Sequence, residues 1–218
     1  MSLFRLFVVG VSLLSATAAA SAEDTDHSLL AYAVAVNGWF GIYLGKGLIL
    51  TASHVVGQAV LKAPKVTVAG QDLPAKVVKQ DTFERTDLAL LAIDDERLPT
   101  SLRLRRVPLC AARPWPGEDV VTVTPAETVH SHVMSPQGLP VEVKRFDTII
   151  GDVARTGNSG SGVFDAQKKC LLGIMSRKLS QVRTTAGSKQ TYDIAKYFVP
   201  ASVIAQFLPA ESRLSLKQ

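Results

Sequence analysis

Short apolar runs, broken by residues that favour tight reversals, constrain this chain most. LLAYAVAV (29–36), WFGIYL (39–44) and LILT (48–51) are separated by Asn37-Gly38 and Gly45-Lys46-Gly47. Asn-Gly and Gly-x-Gly between β-rich runs are hairpin signals, because these residues tolerate the positive φ that such turns require. The segment reads as a β-meander that delivers the chain into TASHVV (51–56), with His54 directly after an apolar strand. KVTVA (65–69), PAKVVKQ (74–80) and LALLAI (88–93) continue the pattern, and helical periodicity over eleven or more residues is absent here. The first half predicts a small antiparallel barrel or sandwich.

Residues 94–118 carry Pro99, Pro108, Pro114, Pro116 and Gly117 and read as a long connection between two halves. Strand candidates then return: EDVVTVTP (118–125), PVEVKRFDTII (140–150), GVFD (162–165), CLLGIMS (170–176) and TYDIAKYFV (191–199). The stretches holding His130 and His132 and residues 180–190 read as polar loops. Pro200 opens PASVIAQFL, a predicted short helix with Val203, Ile204 and Phe207 on one face.

Residues 1–22 have one cation (Arg5), an apolar run from Leu6 to Leu14 and the ending Ala20-Ser21-Ala22, the pattern of a cleaved secretory signal. The run falls short of the roughly 20 apolar residues needed to span a bilayer. The expectation is a secreted or periplasmic protein whose mature chain starts near Glu23 and does not associate with a membrane. With 24 Lys and Arg against 19 Asp and Glu, the net charge is only +5, and the cations are scattered without interleaved aromatics. That distribution argues against nucleic acid as a partner. In an oxidising compartment Cys110 and Cys170 can form one disulfide. The isolated cysteines and four scattered histidines lack ligand spacing, so neither a metal nor another cofactor is expected.

Chemistry concentrates in TGNSGSGVFD (156–165), where Gly157, Gly160 and Gly162 frame Ser159 and Ser161. A serine hydroxyl acts as a nucleophile when it sits on a sharp exposed turn with backbone N–H groups aimed at the developing negative charge. Ser159 is the candidate nucleophile and Ser161 its rival. A hydroxyl also needs a base, and His54 is the histidine held at the end of an apolar strand; His27 lies in the polar region before the first run. Asp87 stands immediately before LALLAI, where burial would fix a carboxylate to orient the imidazole.

TASHVV, TDLALL and GNSGSG, in that order, resemble the three signature segments of the chymotrypsin-like (trypsin-like) serine proteases. The nucleophile segment is most similar to that of the secreted glutamyl endopeptidases and exfoliative toxins. The resemblance spans roughly residues 30–208 and implies an all-β fold of two antiparallel six-stranded β-barrels with a short C-terminal helix. It divides the mature chain at 23–109, with His54 and Asp87, and 110–218, with Ser159. It implies a Ser159–His54–Asp87 triad, an oxyanion hole from the N–H groups of Gly157 and Ser159, and hydrolysis of protein or peptide substrates by a monomer. LLGIMSRK (171–178) is similar to the family strand that pairs with substrate, making Ser176, Arg177 and Lys178 substrate-binding.

The sequence departs from the family in three places. Asn158 stands where zymogen-activated members carry an aspartate that captures a freed N-terminus. Met175 stands where glutamyl endopeptidases have a glutamate-reading histidine. Val153 falls near the base of the specificity pocket, where a trypsin has aspartate, although a different loop length would put Asp152 there; the combination suggests an apolar or small preferred residue. A catalytically idle protease fold used for binding is the alternative function. An α/β esterase is disfavoured, because its histidine would come last in the chain rather than first.

Overall fold

The computed structural model describes residues 27–57, 63–137, 139, 148–151, 159–185, 188–210 and 212. Residues 1–26, Asp152, Val153, Gly157, Asn158 and most of the 140–150 strand candidate lie outside the described residues. The first half contains β1 (Ala33–Val36), β2 (Trp39–Gly45), β3 (Leu48–Ala52), the single helical turn α1 (Ser53–Val56), β4 (Lys65–Val68), β5 (Gln71–Pro74), β6 (Lys76–Gln80) and β7 (Leu88–Ala92). After α2 (Thr100–Arg103) follow β8 (Asp119–Val123), β9 (Thr128–Met134), β10 (Ile149–Ile150), β11 (Gly162–Asp165), β12 (Leu171–Thr185), β13 (Ser188–Pro200) and α3 (Ala201–Phe207).

The second half is a closed six-stranded barrel in the order β10-β13-β12-β11-β8-β9. The first half differs from the expected six-stranded barrel: it is one seven-stranded sheet, β5-β4-β1-β2-β3-β7-β6, without closing hydrogen bonds between its edge strands. Those edges, β5 and β6, are consecutive in the chain and joined by Ala75 alone. In a flat sheet they would stand about 29 Å apart at ~4.8 Å per strand. One linking residue therefore requires the sheet to curl until its edges nearly meet, and Pro74, lacking an N–H, sits where a closing ladder would start.

Strand period sorts the apolar residues between separate cores. Ile42, Leu44, Leu50, Leu88 and Leu90 point toward the other half and pack with Val121, Val123, Phe164, Leu171, Ile174 and Val199 in one cluster. Their neighbours Tyr43, Ile49, Ala89 and Leu91 turn inward, into the first half's own core. Val120, Val163, Leu172 and Met175 fill the second barrel. LALLAI is apolar without alternation because its strand is covered on both faces; Leu88, Ala89, Leu90 and Leu91 are all fully buried. The helix α3 adds Ile204 and Phe207 to the shared cluster, and Lys79 of β6 reaches across to donate to the Phe207 carbonyl at 2.6 Å.

Two loop expectations are corrected. His130 and His132 lie in β9, opposite Val121 and Asp119 of β8, because Thr128 and Val129 start a strand that alternates and turns both histidines outward. Residues 180–185 and 188–190 are likewise strand, pairing Gln181 with Tyr192, Val182 with Thr191 and Arg183 with Gln190. β-branched and aromatic cross-strand partners sustain that hairpin without an apolar face. Cys110 and Cys170 form a disulfide with Cα atoms 5.0 Å apart, tying the connection between the two sheets to the start of β12. No helix among the described residues is long and apolar enough to cross a membrane.

Candidate active site

β3 ends at Ala52, and α1 turns the chain so that His54 leaves the shared core with its side chain 31% exposed. Its antiparallel neighbour β7 begins beside it, Ala52 pairing with Leu88, which sets Asp87 against the start of α1. The Asp87 carbonyl accepts the Ser53 N–H at 3.0 Å. Asp87 is fully buried and adopts a φ of +52°, a conformation that aspartate tolerates better than most residues.

Three donors converge on this carboxylate. Oδ1 accepts the His54 backbone N–H at 3.1 Å, and Oδ2 faces His54 Nδ1 at 2.9 Å. The third comes from the other half of the molecule: Ser176 Oγ donates to Oδ2 at 2.5 Å. A carboxylate oxygen accepts hydrogen bonds, so a neutral imidazole in this contact donates from Nδ1 and turns its Nε2 lone pair away from Asp87. A buried charge with this many donors is stabilised in place rather than expelled.

The turn carrying Ser159 docks onto the first half at β2 and β3. The Ser159 carbonyl accepts the Phe40 N–H at 3.2 Å, and the Gly160 N–H donates to the Met175 carbonyl at 2.8 Å. Gly160 has φ +85°, and a Cβ there would stand 1.9 Å from the Phe40 oxygen and 2.5 Å from Thr51 Oγ1. Only glycine permits that approach. Because Thr51 lies three residues before His54, the contact brings the Ser159 turn to the end of the chain segment that carries the imidazole. Ser159 is partly exposed, whereas the rival Ser161 is 0% exposed, with its hydroxyl buried and without a hydrogen-bond partner among the described residues. Ser161 therefore cannot present a nucleophile to an incoming chain.

The predicted substrate-binding trio separates into three roles. The Ser176 hydroxyl faces Asp87, not a substrate. Arg177 lays its guanidinium over the Phe83 ring, 3.8 Å from the centroid, and Phe83 meets the His54 ring edge-on at 5.5 Å. Lys178 forms an ion pair with Asp193 across the hairpin at 2.8 Å. Sequence reading missed Phe83, whose only advance signal is its position four residues before Asp87. An open cleft of about 1000 Å³ lies beside His54, lined by Ser53, Gly57, Gln80, Thr82 and Phe83. The one grouping of His, Cys or carboxylate ligands among the described residues, Cys110, Asp165 and Cys170, has both sulfurs in the disulfide and so no thiolate for a metal.

The profile of the trypsin-like peptidase domain family matches residues 40–174. No curated protein matches the chain. Among solved structures, the Rv3671c protease of M. tuberculosis in its active form superposes with a TM-score of 0.56 at 16% identity, covering 95% of this chain and 93% of that one. The serine endoprotease from Yersinia pestis gives 0.58 at 19% identity, over 91% of this chain and 66% of the other. The MamO protease domain from Magnetospirillum magneticum gives 0.55 at 21%, over 84% and 98%. At these identities the likeness is one of fold.

Proposed function

Because this chain belongs to the trypsin-like peptidase domain family, we propose that it is a serine endopeptidase working through Ser159, His54 and Asp87. One observation carries the reading: a buried Asp87 carboxylate that holds the His54 ring through Nδ1 and is itself held by Ser176 from the opposite half. That arrangement leaves His54 Nε2 as the base in an exposed position beside an open cleft.

In the proposed reaction His54 Nε2 removes the Ser159 hydroxyl proton as Oγ attacks the scissile carbonyl carbon. The Nδ1–H bond to Asp87 stabilises the imidazolium formed. The N–H groups of Gly157 and Ser159 receive the developing oxyanion, a contribution on the order of 3 kcal/mol per donor. His54 then protonates the leaving amine, and the acyl-enzyme remains on Ser159. Water, deprotonated by the same imidazole, releases the acid and regenerates the serine. Residues 1–22 direct the chain to an oxidising compartment, a destination supported by the Cys110–Cys170 disulfide.

Fluorophosphonate labelling of the purified protein tests the assignment. The expected result is one adduct on the wild type and none on Ser159→Ala. Labelling that persists in the variant, or no labelling of the wild type, refutes it.

A further inference from the structure

A second cavity lies where the two halves of the molecule meet. Its volume is about 410 Å³, at the small end of the range in which ligand sites fall. None of its described lining residues belongs to the cleft beside His54. Separate stretches of chain build it. The turn between β6 and β7 supplies Arg85 and Thr86, and the connection between α2 and β8 supplies Arg113 and Pro114. From the second half come Val199 and Pro200 of β13 and Ser202 and Val203 of α3.

The charge of this cavity is one-sided. Arg85 and Arg113 both line it, and no carboxylate stands among its described lining residues. Arg113 is exposed and has no hydrogen-bond or ion-pair partner among the described residues. Arg85 meets one anion, Asp81, at 3.7 Å from Nε. That carboxylate is already held by the Thr82 N–H and the Thr86 hydroxyl, each at 2.8 Å. The outer nitrogens of Arg85 therefore have no hydrogen-bond acceptor among the described residues. Guanidinium groups present paired N–H donors that match the oxygens of a carboxylate or phosphate. Opposite this charge the lining is apolar, with Pro114, Val199, Pro200 and Val203.

We propose that the cavity binds a small organic anion, an oxyanion head on an apolar body. Arg85 and Arg113 take the head, while Pro114, Val199 and Val203 hold the body. Because Arg85 belongs to the first half and Val199 and Val203 to the second, the bound anion fastens the halves together. Thr86 lines the cavity and directly precedes Asp87, so the ligand sits one residue from the carboxylate that holds His54 without entering the cleft. The proposal does not rest on the peptidase reading.

Calorimetric titration of the purified protein tests it with phenyl phosphate, phenylacetate, the neutral phenylacetamide and inorganic phosphate. At least one of the two aromatic anions is expected to bind tenfold or more tighter than both phenylacetamide and inorganic phosphate. Whichever of the two is tighter tells a phosphate ester from a carboxylate as the preferred head. Arg113→Gln and Arg85→Gln should each weaken that binding about tenfold or more, the loss expected for a charge-assisted hydrogen bond. Arg183→Gln removes a cation of the β12–β13 hairpin outside the cavity and should leave binding unchanged. The bound anion should raise the thermal midpoint of the wild type and not that of Arg113→Gln, whose ligand-free midpoint should match the wild type. No binding of either aromatic anion at millimolar concentration, equal affinity for phenylacetamide, or equal losses in Arg113→Gln and Arg183→Gln overturn the proposal. Fluorophosphonate labelling at saturating anion separates the two sites. Labelling that slows in proportion to occupancy would place the anion in the cleft and refute the proposal. A protein that never labels refutes the peptidase reading alone, and calorimetry still decides the cavity.

Discussion

Replacing Ser176 by alanine removes one donor from a carboxylate whose side chain is only 1% exposed. Hydrogen bonds to charged groups contribute about 1.5–3 kcal/mol, and a carboxylate buried this deeply cannot turn to bulk solvent for a replacement. Total stability of about 5–15 kcal/mol leaves the variant folded. For a chain of this size the midpoint of thermal unfolding should fall by about 3–12 °C. The loss must also depend on the charge. In an Asp87→Asn background the hydroxyl faces a neutral amide, where the same deletion should cost only about 0.5–1.5 kcal/mol. A double-mutant cycle by urea denaturation should therefore show a coupling of about 1 kcal/mol or more between positions 87 and 176. Peptide hydrolysis follows the same logic: Ser176→Ala should lower kcat about tenfold with little change in KM, because imidazole orientation and not substrate contact is lost. Equal costs of Ser176→Ala in both backgrounds, or a change confined to KM, would refute the argument that Ser176 acts through Asp87.

Gly160→Ala should destabilise the protein by at least 3 kcal/mol, since the left-handed backbone alone costs about 1–2 kcal/mol and the new Cβ meets the Phe40 carbonyl 1.9 Å away. Urea denaturation measures the loss, and a variant of wild-type stability would show that the two halves do not close on this turn. Burial pushes the Glu118 carboxyl above its ordinary range, reinforced by the neighbouring Asp165 charge, whereas the Lys168 and Gln167 backbone N–H groups hold Asp165 below its own despite burial. A raised folded-state pKa means that the stability tied to protonated Glu118 is fully present below its unfolded pKa, near 4.5, and is lost as pH rises through the folded value. Glu118→Gln should then unfold at a higher temperature than wild type at pH 7, with the advantage gone at pH 4; a pH-independent difference would contradict this.

Local pattern made the β architecture legible because turn residues and strand period act over a few neighbours. LALLAI announced a buried strand, Asn37-Gly38 a hairpin, and the order of His54, Asp87 and Ser159 a family. The same local view misjudged residues 180–185 and 188–190, where polar side chains suggested a loop. It could not see that these residues find their partners across a hairpin, so that the strand survives without a buried face.

What the chain alone determined, then, is composition and order: which segments must be strands, which side chains can accept, donate or attack, and the cysteine pair available for a bridge. Tertiary structure decided what stands next to what. Ser176 and Asp87 lie 89 residues apart and meet only because two independently curled sheets share one apolar cluster. The seven-stranded curl of the first half depends on a bend at Ala75 that no hydrophobic count registers. Burial sets the candidate Ser159 apart from its rival Ser161, because the left-handed turn at Gly160 between them leaves Ser159 partly exposed while Ser161 is buried. Hydrogen bonds and exclusion from water depend on distances in space, and those exist only after the chain has closed on itself.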